Sequence, residues 1–294
     1  MGGRSRERSV SIASGKACYD AIKKIGYKVF KYDPIKNIKN NIKKKNPDIV
    51  FNCLHGKYGE DGQIQKILEK LKIPYTHSGV KASEIAMDKI KSKRIFLKKK
   101  IITPNFKIIK KISDIKNKIS KSKFILKPIN EGSSFGVKIF TGDSVSNLKN
   151  IKKLLKRYKI LIQEPYIDGR EIQTAVLGNK VIGSVEIIPK RSFYDYRAKY
   201  SLSAKTKHII PPKIPKKLHD KIKKIALKAH KSLKCKGVTR SDFRVMQNNK
   251  IYILEINTQP GMTKLSLVPE IAQDFGLSFI KLVDWMIKDA SINR

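Results

Sequence analysis

The chain has 294 residues, 40% of them hydrophobic and 30% charged, which suits two or three domains and excludes both a single small core and a disordered chain. Its 65 basic residues against 24 acidic ones give a formal net charge of +41. That balance raises a nucleic-acid reading, but the lysines are scattered (residues 36–40, 98–100, 107–111, 216–217) rather than gathered in one stripe, so they read as solvated faces whose field draws in anionic substrates such as nucleotides.

In chain order, a polar Gly-led loop (Gly2-Gly3-Arg4-Ser5-Arg6-Glu7-Arg8) opens a helix expected over residues 10–25, with Ala13, Ala17 and Ala21 at four-residue spacing. Strands are expected at 27–32, at 48–54 ending in His55-Gly56, and at 73–76, with a helix at 63–71 between the last two. This alternation implies a parallel α/β sheet over 1–78. A Gly-rich loop of this kind normally follows a strand. Here Met1 stands directly before it, so the sheet is expected to lack its first strand and Glu7 to be weakly fixed.

A second unit is expected over 79–165, with a helix at 83–98, a strand at 124–127, and the Gly/Ser loop Glu131-Gly132-Ser133-Ser134-Phe135-Gly136 leading into a strand at 137–140, a hairpin-like flap. In the third, 166–294, strands at 171–177, 181–188, 237–245 and 250–257 suggest an antiparallel sheet. Gln247-Asn248-Asn249 turns between the last two, and helices are expected at 216–233 and 276–288. Cys18, Cys53 and Cys235 form no C-x-x-C pair and read as buried free thiols of a reducing compartment. With no leader and no membrane-length apolar run visible, the expectation is a soluble cytoplasmic protein.

The strongest chemical signal is Arg240-x-Asp242 followed by Glu255-x-Asn257. Strand side chains alternate faces, and the hairpin brings the two strands together, so Asp242, Glu255 and Asn257 converge as an all-oxygen set suited to Mg²⁺ beside phosphates. Incidental carboxylates on a surface hairpin are the competing reading, but two acids among Ile251, Ile253, Leu254 and Ile256 are costly to bury without a cation. Arg240 and the Gly261 N–H are candidates to stabilise an oxyanion. The 131–136 loop matches neither a Walker nor a Rossmann pattern, yet its backbone, with Lys89 and Lys127, suits nucleotide phosphates. Residues 161–167 read as an inter-domain strand for an adenine edge, with Glu171 for a ribose hydroxyl. The aromatic run 193–200 reads as a closing loop or as a loop docked by its tyrosines. His55 ends a strand, where α/β sheets bind ligands; no histidines are spaced as a metal pair.

Taken in order, these motifs resemble the D-alanine–D-alanine ligases of the ATP-grasp superfamily. The resemblance runs over nearly the whole chain, through Gly-Gly-x-Ser-x-Glu-Arg-x-Val-Ser at 2–11, His-Gly-x-x-Gly-Glu-Asp-Gly at 55–62, Ser-Gly-Val at 78–80, Met-Asp-Lys at 87–89 and Glu-Gly-Ser-Ser-x-Gly at 131–136. It continues through Tyr-Asp-Tyr-x-Ala-Lys-Tyr at 194–200, Arg-x-Asp at 240–242, Glu-x-Asn-Thr-x-Pro-Gly-Met-Thr at 255–263 and Ser-Leu-Val-Pro at 266–269. It implies an α/β N-terminal substrate-binding domain over 1–78 followed by two α+β ATP-grasp subdomains. Lys89, Lys127, Glu164, Ile167, Glu171 and Lys199 would hold ATP, and Asp242, Glu255 and Asn257 two Mg²⁺, for which Mn²⁺ can substitute. Glu7, with His55 nearby, would bind the first D-alanine, and Arg240, Ser266 and Leu267 the second. Glu7, Ser133 and Tyr200 would tie three loops shut over the site. The implied reaction makes an acyl phosphate from the first D-alanine, which the amine of the second attacks while Arg240 and Gly261 stabilise the oxyanion. It would supply the peptidoglycan precursor, and a homodimer is usual in the family. Pro165 replaces a frequent lysine of the adenine strand, and Arg197 stands where some relatives carry an acid. The competing expectations are a D-alanine–D-lactate ligase, against which Tyr200 argues, another ATP-grasp carboxylate–amine ligase, and a basic nucleic-acid-binding protein.

Overall fold

A computed structural model describes residues 1–115, 123–141, 145–189, 206–263 and 265–294. Helix α1 (Arg8–Ile25) buries Val10, Ser14, Cys18, Ala21 and Ile22, a stripe at three- and four-residue spacing, and stops at Gly26, whose φ of 101° only glycine adopts freely. Helices α2 (Ile38–Lys45) and α3 (Gln63–Lys70) follow. The helix expected over 83–98 is two, α4 (Val80–Met87) and α5 (Lys89–Lys98), broken at Asp88. Asp88 adopts an extended conformation, and its side chain accepts from the N–H groups of Ile90 (2.9 Å) and Lys91 (3.0 Å). A capping carboxylate there starts a new helix rather than continuing the old one.

The first sheet has the order β1-β4-β2-β3, all antiparallel, from β1 (Lys107–Ile109), β2 (Phe124–Pro128), β3 (Lys138–Phe140) and β4 (Leu161–Pro165). Helix α6 (Val145–Tyr158) packs on it, and β2 and β3 are the two arms of the expected flap. The second sheet has the order β7-β6-β5-β8-β9, again antiparallel: β5 (Arg170–Leu177), β6 (Lys180–Ile188), β7 (Lys207–Ile209), β8 (Val238–Val245) and β9 (Ile251–Asn257). It is the middle layer of a sandwich. Ile172, Val176, Phe243 and Ile253 face helix α7 (Lys216–Ser232), whereas Ala175, Val185 and Ile187 face α8 (Leu267–Asp274) and α9 (Phe279–Lys288).

A β-bulge at Leu254 sets the register of the last hairpin. Phe243 pairs with Ile253 and Asp242 with Glu255, so Leu254 is the extra residue. Ile251, Ile253 and Ile256 all belong to the core under α7, and their two-then-three spacing cannot share a face of a regular strand. The bulge reconciles them, and by shifting the alternation it turns Glu255 and Asn257 to the face carrying Asp242 and Arg240.

The parallel sheet expected at the N-terminus is reduced to a single parallel bridge, Val50 to Tyr75. Residues 27–32 form no strand. The reason is local: a strand needs a neighbour along its edge, and an open gap of about 490 Å³ separates residues 27–32 from 48–54. Among the described residues, Val29, Phe30, Ile49 and Phe51 make no backbone hydrogen bond. Cys18, Cys53 and Cys235 are buried and free, as expected. No helix among the described residues is long and apolar enough to cross a membrane.

Candidate active site

Two clefts meet between the sheets. One, of about 90 Å³, is lined by Lys89, Lys127, Glu131, Ser134, Glu164, Ile167, Glu171, Asp242 and Glu255 among others. The second, of about 60 Å³, is lined by Glu7, His55, Glu60, Ser133, Arg240, Asn257 and Gly261, again with Lys89, Glu131 and Glu255. The three shared residues mark the junction.

The first cleft is built from strand faces. Gln173 pairs with Asp242 and Glu171 with Arg244 across β5 and β8, so the face of the second sheet that carries Ala175, Val185 and Ile187 also presents Glu171, Asp242 and, beyond the bulge, Glu255 to the cleft. Its cations and acids neutralise one another. Lys89 Nζ lies 3.2 Å from Glu255 Oε2 and donates to the Glu131 carbonyl at 2.7 Å. Lys127 Nζ is 2.9 Å from Glu164 Oε2. Arg240 grips both oxygens of Asp242, at 2.8 and 3.0 Å, and Arg244 holds Glu171 at 2.8 Å. Burial would raise the Glu164 carboxyl, but the charges of Lys127 and Lys93 overcome it and hold the group below the usual range.

Asp242, Glu255 and Asn257 do come together, through the Asp242–Glu255 and Arg240–Asn257 register pairs. The donors are two carboxylates and one amide oxygen, a hard set that fits Mg²⁺. Each already has a partner that a cation would displace or share: Arg240 on Asp242, Lys89 on Glu255, and the Gln259 N–H on Asn257 Oδ1 at 2.8 Å.

The second cleft is closed by hydrogen bonds between distant segments. Glu7, 5% exposed at the start of α1, accepts from Ser133 Oγ at 2.5 Å. The weak fixing expected of Glu7 is not seen, because the flap tip and the N–H to Ser5 Oγ bond at 3.1 Å hold it. His55 Nε2 lies 3.0 Å from Ser14 Oγ, and Nδ1 lies 3.0 Å from Glu60 Oε1. Burial alone would lower the imidazole, but the bond and charge of Glu60, helped by Glu7, raise it. Asn52 Nδ2 donates to Gln259 Oε1 at 2.8 Å, and Gln259 Nε2 donates back to the Leu54 carbonyl, which docks the loop after β9 against the end of segment 48–54. The Met262 N–H completes the link by donating to Ser14 Oγ at 3.2 Å.

Of the residues singled out from sequence, Glu7, His55, Lys89, Lys127, Ser133, Glu164, Ile167, Glu171, Arg240, Asp242, Glu255, Asn257 and Gly261 line these two clefts. Ser266 and Leu267 do not. Ser266 Oγ is bonded to the Thr263 N–H and hydroxyl, both at 2.9 Å, beside Gly261, and the Leu267 side chain is in the core. Lys199 and Tyr200, with the rest of 190–205, lie outside the described residues. Sequence reasoning missed Glu60, although it sits inside the His-Gly-x-x-Gly-Glu motif. It also missed Lys93, one helical turn beyond Lys89 on α5, whose i,i+4 spacing was the available signal.

The chain matches the model of the D-ala D-ala ligase N-terminus over residues 30–78 and that of the C-terminus over 97–288. It is 54% identical to the D-alanine–D-alanine ligase of Pelagibacter ubique, covering 100% of this chain and 97% of that protein. It is 44% identical to D-alanine–D-alanine ligase B of Mesorhizobium japonicum, with the same coverage. Among solved structures, the D-alanine–D-alanine ligase of Bacillus anthracis superposes with a TM-score of 0.86 at 33% identity, over 98% of this chain and 95% of that one. The same enzyme complexed with ATP gives 0.84 at 31% identity, over 98% and 94%. A lysine-lined cleft opening onto a second one closed by the Glu7–Ser133 bond, and full-length likeness of this degree, lead to one conclusion: the chain belongs to the D-alanine–D-alanine ligase family.

Proposed function

We propose that the chain uses ATP to join two D-alanines into D-alanyl-D-alanine, releasing ADP and phosphate, as a step of peptidoglycan precursor synthesis. The observation that carries this is the junction of the two clefts at Lys89, Glu131 and Glu255. A phosphoryl group reaching the junction from the nucleotide side meets a carboxylate arriving from the Glu7 side, which is the geometry an acyl-phosphate ligase needs.

In this reading Lys89 and Lys127 neutralise the phosphates, and the 131–136 loop covers them. Ile167 and Glu164 flank the adenine and Glu171 the ribose. Asp242, Glu255 and Asn257 hold Mg²⁺, which supplies charge neutralisation at the transferring phosphate when bound. Lys199 joins the nucleotide set. Glu7 binds the first D-alanine's ammonium, with His55 and Glu60 behind it. The carboxylate oxygen of this first D-alanine attacks the γ-phosphorus of ATP, the bond to the ADP oxygen breaks, and a D-alanyl phosphate forms. The amine of the second D-alanine, oriented by Arg240 with Ser266 and Leu267, attacks the carbonyl and phosphate leaves. Arg240 and the Gly261 N–H stabilise the oxyanion, while the Glu7–Ser133 link, completed by Tyr200, keeps water from the intermediate. The units 1–78, 79–165 and 166–294 divide these tasks. A cytoplasmic homodimer without nucleic-acid or membrane partners completes the proposal.

The test is phosphate release by the purified chain with ATP, Mg²⁺ and amino acids. D-Alanine should stimulate it well above L-alanine, and D-lactate or D-serine as acceptors should not exceed D-alanine. No preference for D-alanine would overturn the assignment, and salt-sensitive nucleic-acid binding without ATP turnover would replace it.

A further inference from the structure

Glu164 is the most enclosed acid of the nucleotide cleft, 2% exposed on β4 between two lysines. They are not equivalent. Lys127 lines the cleft and reaches Glu164 Oε2 at 2.9 Å. Lys93 is fully enclosed and lies behind the cleft wall; its Nζ faces Oε1 at 2.9 Å as an ion pair outside hydrogen-bond alignment, and donates to Thr103 Oγ1 at 2.6 Å. The Thr103 hydroxyl in turn donates to the Ile253 carbonyl on β9 at 2.8 Å. One lysine is therefore free to face a ligand, and the other is anchored to the second sheet.

This asymmetry matters when an anionic nucleotide enters. Lys127 serves the phosphates by sharing or giving up its pairing with Glu164, which leaves a buried carboxylate short of positive charge unless another cation remains. We propose that Lys93 is a positioning residue for nucleotide binding, the fixed counter-ion of Glu164 that lets Lys127 exchange a carboxylate for a phosphate. The anchoring through Thr103 keeps Lys93 from following Lys127, and its enclosure keeps it from reaching the nucleotide itself. Burial and the neighbouring Lys127 depress the Lys93 ammonium to about 8, against the pull of Glu164. Departure of Lys127 removes that repulsion and leaves Lys93 a firmer partner.

The proposal rests on the nucleotide half of the ligase reading and needs no D-alanine, so it is tested by titrating ATP and ADP with Mg²⁺ into the full chain by calorimetry. The variants are Lys93→Met, Glu164→Gln and the double change. Lys93→Met should weaken binding by at least about tenfold alone but by less than about twofold in the Glu164→Gln background, because the stranded charge is then gone. In turnover it should raise the KM for ATP and leave kcat nearly unchanged. Lys93→Gln, which keeps a donor for Thr103 but no charge, should repeat the affinity loss and decides the matter if Lys93→Met fails to fold. Equal losses in both backgrounds, or Lys93→Gln binding as tightly as the parent, overturns the role of Lys93 while leaving the ligase reading intact. A parent chain that binds no nucleotide overturns both.

Discussion

Exchanging His77 for Asn and His230 for Gln should make the chain more tolerant of acid. Both histidines are 2% exposed. Burial, with Arg294 nearby, pushes His77 down to about 3, and burial pushes His230 down to about 4. Both are therefore neutral in the fold and take up a proton on unfolding near their ordinary value of about 6.5. The stabilisation from each is complete above pH 6.5 and is lost as pH falls towards the folded value. At pH 5 the gap of about 1.5 units below the unfolded pKa corresponds to about 2 kcal/mol per histidine, or about 4 kcal/mol for the pair, relative to neutral pH. His55 works in the opposite sense. Its raised value adds stability that is complete below 6.5 and is lost as pH rises through its folded value. Asn suits position 77, where φ is 71°, and removes a buried Nδ1 that has no hydrogen-bond partner. Urea unfolding at pH 7.5, 6 and 5 should show each single variant losing about 2 kcal/mol less than the parent between the extremes. Parallel stability–pH curves for parent and double variant would refute the reasoning.

Ser133→Ala removes the 2.5 Å bond to Glu7. A hydrogen bond to a charged group contributes about 1.5–3 kcal/mol, so kcat/KM for D-alanine should fall about ten- to a hundredfold, with more ATP hydrolysed per dipeptide formed; unchanged coupling would argue against closure at this point. Asp242→Asn leaves Arg240 without its two-oxygen partner and should abolish the Mg²⁺ dependence of nucleotide affinity, read by calorimetry with and without the ion. Asp88→Ala removes the cap of the helix carrying Lys89 and Lys93, and should cost about 1 kcal/mol in denaturant unfolding. Gly136→Ala forces a side chain onto φ 73°, with its Cβ 2.7 Å from Pro128 and 2.8 Å from Tyr158; it should distort the flap and weaken nucleotide binding more than overall stability.

The sequence displayed the second sheet well because its alternation is regular over long strands, and the Asp242 hairpin followed from it. A strict two-residue period would nonetheless have put Glu255 on the face of Ile251 and Ile253. The bulge at Leu254 corrects this, and its only trace in the sequence is the three-residue step from Ile253 to Ile256. The break at Asp88 was also legible, since Asp before a run of helix formers is a start signal, but the continuous apolar periodicity hid it. Helix α2, half of it lysine, carried too few apolar markers to separate from solvated loop, whereas α6 did carry a helical signal in Leu148, Ile151, Leu154 and Leu155 that sequence reasoning missed. Lys93 escaped because 65 basic residues make any one lysine unremarkable until its burial is known. The docking of Gln259 on Asn52 joins positions 207 residues apart, a distance over which local pattern has nothing to say.

The two ends of the site differ in how their backbone is paired. The Asp242–Glu255 hairpin is built into a five-stranded ladder, whereas His55 hangs from a segment whose one regular pairing is a single bridge. Amide protons at Val29, Phe30, Ile49 and Phe51 should exchange with solvent long before those of β5 and β8. Heating should melt the Glu7–His55 cleft before the Lys89–Lys127 cleft, so that, on the proposed assignment of the two, a chain can still bind ATP after it has lost the ability to use it. A single melting temperature would then describe neither half.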